Sequence, residues 1–166
     1  MNLKNRLLEN TEVLLNSVRQ LSDSKLNYKL DEQNWSVAEI VEHLYRSEYG
    51  IPRLFNGETQ KEIDRAPDAY VDEMRKKFLE SDKKMKASGV ILPTEGKKSK
   101  ETLISKFQEN REIIADLIDK FAPNELCLSF KHPIFGYLTR LEWIHFNIIH
   151  IERHLGQIKR VISQLD

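Results

Sequence analysis

Histidine spacing is the strongest chemical signal in this chain. Of five histidines, His150 and His154 stand four apart, so on a helix both imidazoles project from one face. Two rings so placed can reach one metal ion. At about 100° per residue, Asn147, His150 and His154 share one flank of the isoleucine-rich seam of the last helix. His145 falls on the opposite side, which excludes it as a partner. His43 lies on the flank of another helix's apolar face, on a strip with Ser36, Glu39, Ser47 and Gly50. Both strips sit at the edge of a core, where two helices can leave a cleft. Buried histidines need hydrogen bonds or a metal, and spacing alone leaves both readings open. His132, in HPIFG, reads as a structural or exposed loop residue. The single Cys127 cannot form an intrachain disulfide, and its apolar setting, ELCLSF, reads as a small buried hydrophobe.

The elements that must position these residues are helices, with no convincing strand. Residues 2–22 carry Leu3, Leu7, Leu14, Val18 and Leu21 on one stripe. The polar stretch SDSKLNYKLDEQN reads as a loop or short turn. The next helix starts at Ser36, where Ser36 and Glu39 form a capping box and Trp35 with Ile40 a hydrophobic staple. Its buried face is Ile40, Val41, Leu44 and Ile51, and Pro52 and Gly57 mark a kink or end. Residues 58–98 read as a long crossover with a helix of its own around 68–87. Residues 99–121 resume the period with Leu103, Phe107, Ile114, Leu117 and Phe121; residues 122–138 are a second loop.

The last helix is the clearest. Thr139 and Glu142 make a second capping box, and a seam from Leu141 to Leu165 runs at spacings of three and four. One uninterrupted helix over 139–163 is expected, with Gly156 as the place where it could break, since an interior glycine costs about 1 kcal/mol relative to alanine. Four strong helices with one long connection imply a single all-α domain over 1–166. The expected architecture is a four-helix bundle in up-down-down-up order, with an extra helix in the crossover.

Composition narrows the partners. Lys plus Arg and Asp plus Glu are 26 each, so the net charge is zero with histidine neutral. Phosphate binding usually needs a basic excess, which argues against nucleic acid. Zero net charge also leaves little repulsion between copies, so a homodimer is expected. The start, MNLKNRLLEN, does not read as a signal peptide, and no segment approaches the roughly 20 apolar residues of a membrane span. The expected location is the cytoplasm.

NWSVAEIVEHLYRSE, together with HPIFGYLTRLEWIHFNIIHIERHLGQIKRVI, resembles the DinB/YfiT-like superfamily of bacterial helical-bundle metalloproteins. The shared elements are W-S-x-x-E-I-x-x-H-L in the second helix, then H-P-x-F-G-x-L-T-x-x-E-W and H-x-x-x-H at the end; they span the chain in order. The resemblance implies that His43, His150 and His154 bind one divalent metal. It also implies the up-down-down-up order and, as in many members, a dimer. Relatives include transferases that use low-molecular-weight thiols such as bacillithiol, thiol-dependent isomerases, and proteins called hydrolases. The family name comes from damage-inducible expression.

Three neutral imidazoles suit zinc, nickel or ferrous iron, at about 2.0–2.1 Å for zinc. Three protein ligands leave a position open, the catalytic pattern for zinc. Such a site lowers the pKa of water towards about 7 and deprotonates a thiol outright. The expected function is a metal-dependent thiol S-transferase acting on a small electrophile, with a low-molecular-weight thiol as cosubstrate. The alternatives are a hydrolase using the same site, or a non-catalytic metal-binding stress-response module. Glu39 and Asn147 are the candidates to orient the rings, although Glu39 can instead be used up as a helix cap.

Overall fold

A computed structural model describes residues 2–81 and 86–165. The chain is all-α. The long helices are α1 (Leu3–Arg19), α3 (Val37–Glu48), α6 (Lys100–Lys120) and α7 (Arg140–Ile162). Short ones are α2 (Asp23–Leu26), α4 (Ile51–Phe55) and α5 (Val71–Arg75), the last running on as a π-helical turn, Lys76–Glu80. Both expected capping boxes form. Ser36 Oγ accepts from Glu39 N at 3.2 Å and Glu39 Oε2 accepts from Ser36 N at 2.8 Å. Thr139 and Glu142 do the same at 3.1 and 2.9 Å.

Three expectations need adjustment. The helix beginning after Ser36 stops at Glu48 and restarts at Ile51, with Pro52 inside its first turn, where a proline's missing N–H costs nothing. The crossover helix, expected around 68–87, begins at Val71; positions 82–85 lie outside the described residues. A two-residue antiparallel ribbon joins β1 (Thr59–Gln60) to β2 (Leu126–Cys127), pairing Thr59 with Cys127. Gly156 does not break α7, and a Cβ there would meet nothing nearer than 3.9 Å.

α1 and α3 each pack against both α6 and α7. The core divides into two apolar clusters. One holds Leu14, Val18, Leu44, Phe107, Ile151 and Leu155, and the other Leu7, Ile51, Ile114, Trp143 and Ile148. A polar layer separates them, one residue from each long helix. Arg111, fully buried, donates Nε and Nη2 to the fully buried Glu48 carboxylate at 2.6 and 2.5 Å. Its remaining bonds go to Asn10 Oδ1 and the Asn147 carbonyl, both at 3.3 Å.

The crossover is fastened at both ends. Arg65 donates twice to the buried Glu142, at 2.6 and 2.8 Å, which pins it to the start of α7. On α3, Glu42 accepts from Thr94 N at 2.9 Å and from Thr94 Oγ1 at 2.7 Å, and Arg46 Nε donates to Val90 O at 2.7 Å. These bonds lay residues 90–94 along the face of α3 that carries His43. Among the described residues no helix is long and apolar enough to cross a membrane.

Candidate metal centre

α3 brings His43, and α7 brings His150 and His154, to one point between the helices. His150 Nε2 lies 3.2 Å from His43 Nε2 and 3.1 Å from His154 Nε2, and one ring nitrogen from each lies within 4.8 Å of the others. His43 is 3% exposed and His150 8%. Two nitrogens held by one tetrahedral ion at about 2.0–2.1 Å would be about 3.3 Å apart, close to the observed spacing.

Proton bookkeeping sharpens the fit. His43 Nδ1 is 2.8 Å from the Ile91 carbonyl, which can only accept, so Nδ1 carries the proton and Nε2 is a bare lone pair. His154 Nδ1 is 2.8 Å from Gln157 Oε1, which likewise leaves its Nε2 bare. His150 Nε2 faces both lone pairs and has at most one hydrogen to offer, so at least one close contact is left without a proton. A cation at the centre satisfies all three nitrogens.

Burial keeps the rings neutral. It pushes His154 down to about 4, helped by His43, and holds His150 well below the ordinary histidine range. His43 is also lowered by burial, against the opposing pull of its bond to Ile91. Neutral imidazole is the ligating form. Aromatic packing fixes the ring planes: Phe146 stacks on His150 at 5.4 Å and 17°, and Trp35 lies 5.0 Å from His43.

The other expected residues fall as follows. Glu39 is spent elsewhere, with Oε2 on Ser36 N and Oε1 on Lys29 Nζ, so the expected orienting role passes to Ile91 and Gln157. Asn147 is 1% exposed, and neither polar atom of its side chain has a partner among the described residues; the same is true of His150 Nδ1 one turn along. His145 takes no part in the cluster. His132 is buried and structural: its Nδ1 accepts from Ile134 N and Phe135 N, closing the HPIFG turn, where Gly136 has φ +72°. It also packs on Phe146 at 4.6 Å, behind His150. Cys127 is fully buried, and burial pushes its thiol up to about 11, so it supplies no nucleophile.

Sequence reasoning missed Ile91, Gln157 and the Arg111–Glu48 pair. Gln157 carried a signal, three residues after His154 on the same helix. Ile91 carried none, because its carbonyl does the work.

Beside the cluster is an open cavity of about 1140 Å³. The three rings do not line it. Its wall includes Ser47 and Ile91, both bonded to His43: Ser47 Oγ donates to the His43 carbonyl at 2.8 Å.

A family model described as the DinB superfamily matches residues 6–158. The chain is also similar to the uncharacterized protein YuaE of Bacillus subtilis (strain 168), 27% identical over 155 residues that cover 91% of each chain. No solved structure matches it. With the match running over nearly its whole length, the chain belongs to the DinB superfamily.

Proposed function

We propose that this protein is a metal-dependent enzyme that transfers a low-molecular-weight thiol to a small electrophile. The observation that carries the reading is the convergence of three neutral Nε2 atoms, two of them bare lone pairs, next to an open cavity. A divalent ion held there, zinc, nickel or ferrous iron by ligand chemistry, would favour the ionised form of a thiol at neutral pH.

The chain's own residues do the rest. Ile91 and Gln157 fix the tautomers of His43 and His154. Phe146 stacks on the His150 ring, and Trp35 packs at a tilt against His43; both would limit water at the cluster. With Cys127 shut in the core, the sulfur has to come from a cosubstrate. In the reaction the thiol loses its proton, a carbon–sulfur bond forms, and the electrophile's leaving group departs with the bonding pair. The scaffold is read as one domain, a four-helix bundle in up-down-down-up order, which the packing of α1 and α3 on both α6 and α7 supports. A cytoplasmic homodimer completes the proposal; zero net charge favours association, and sedimentation at micromolar concentration tests it.

Metal-reconstituted protein, incubated with small thiols and a panel of electrophiles, tests the activity. The expected result is electrophile loss that needs the thiol and disappears in His150→Ala. Electrophile or ester loss without thiol would replace transfer by hydrolysis, and no turnover of either kind would leave a metal-binding module.

A further inference from the structure

The cavity beside α3 has a chemistry of its own. Arg46 and Arg53 line it and no carboxylate does. Arg53 has no hydrogen bond or ion pair among the described residues. The cavity also gathers apolar side chains that helical proteins usually cover: Tyr49 is 67% exposed, Phe130 55% and Val90 81%, and all three are on its wall. An unpaired guanidinium beside exposed aromatic surface suits an anion with a flat or apolar body.

A second observation points the same way. Trp143 lines the cavity, is 4% exposed, and its Nε1–H has no acceptor among the described residues. Asn147 and His150, also buried and unpartnered at Oδ1, Nδ2 and Nδ1, follow at four and seven residues along α7. Positions 143, 147 and 150 share one helix face. Buried polar groups are almost always satisfied in folded proteins, so three in a row mark where a polar ligand belongs. The row leads from the cavity to the histidines, and Ser47 and Ile91 are the wall common to both.

We propose that this cavity is the substrate limb of the histidine site and takes a small organic anion with an aromatic or apolar body. The anionic end lies at Arg53 and Arg46, the body lies over Phe130 and Trp143, and the polar middle follows the row towards His150. The assignment of the cavity to the reaction rests on the function proposed above; its preference for anions does not.

The probe is 8-anilinonaphthalene-1-sulfonate, compared with uncharged N-phenyl-1-naphthylamine, on metal-free full-length protein. The sulfonate is expected to bind more tightly than the neutral dye. Arg53→Gln should weaken the sulfonate about tenfold, the loss of one charge-assisted contact, and leave the neutral dye unchanged. Lys106→Gln, an exposed control on α6, should change neither. Transfer to the bound dye should be more efficient from Trp143, read alone in Trp35→Phe, than from Trp35, read alone in Trp143→Phe, because only Trp143 lines the cavity. Equal affinity for both dyes, no effect of Arg53→Gln, or transfer no more efficient from Trp143 than from Trp35 would overturn the proposal. Because no metal is present, failure here is distinct from failure of the metal reading, which metal content reports separately.

Discussion

His154 Nδ1 and Gln157 Oε1 lie 2.8 Å apart, one helical turn apart on α7. That bond points the bare Nε2 of His154 at His150. Gln157→Leu keeps the helix but removes the acceptor. Metal affinity should fall about 10–100-fold, with thermal stability of the metal-free protein nearly unchanged. Competition titration against a chromophoric chelator measures the first, and calorimetry the second.

Buried neutral histidines make stability depend on pH. His132 and His154 are both pushed down to about 4 by burial, from an ordinary 6.5. The unfolded chain therefore takes up more protons below pH 6.5. Their contribution is fully present above that value and is lost as pH falls towards 4. Urea unfolding of metal-free protein at pH 7.5, 5.5 and 4.5 should show a falling midpoint, with a shallower fall in His132→Asn. A midpoint that does not move between pH 7.5 and 4.5 contradicts this account.

Arg111 and Glu48 form the buried centre of the polar layer. Arg111→Met leaves a carboxylate buried without its partner and should cost about 3–5 kcal/mol. Adding Glu48→Leu removes the stranded charge, so the double variant should recover much of that loss. Denaturant midpoints of the two variants check it.

Cys127 should be chemically silent in the folded protein. Its thiol is fully buried and raised to about 11. A colorimetric disulfide reagent at pH 8 should report essentially no reaction until denaturant is added, and one equivalent afterwards. Rapid reaction of the native protein would reopen the question of an internal nucleophile.

Much of this arrangement was legible in residue spacing. Ser36 with Glu39 and Thr139 with Glu142 fixed both helix starts, and those starts set which way His43, His150 and His154 face. Gly156 proved harmless because the buried seam on either side of it, Leu155 and Ile158, holds α7 in place. The polar layer was not legible, since Asn10, Glu48 and Arg111 each look like a solvent-facing position on a single helix, and Asn147 read only as a neighbour of the histidines. Only the meeting of four helices makes them a layer. The β1–β2 ribbon is too short to show alternation. Ile91 acts through a backbone carbonyl, set in place by Glu42 and Arg46 gripping the neighbouring residues, and side-chain type says nothing about it. The role of His132 depends on Phe146 and a turn closed by Gly136, which spacing also does not reveal.

The central claim is that three histidines from two helices hold one divalent ion. Metal content per chain, measured by plasma mass spectrometry on protein purified without metal-affinity steps and then loaded with zinc or nickel, tests it most directly. Wild type and His145→Ala should each retain one equivalent. His43→Ala, His150→Ala and His154→Ala should each lose most of theirs on dialysis against a weak chelator. Retention by His43→Ala together with loss by His145→Ala would contradict the site, and the enzymatic reading built on it would fall too.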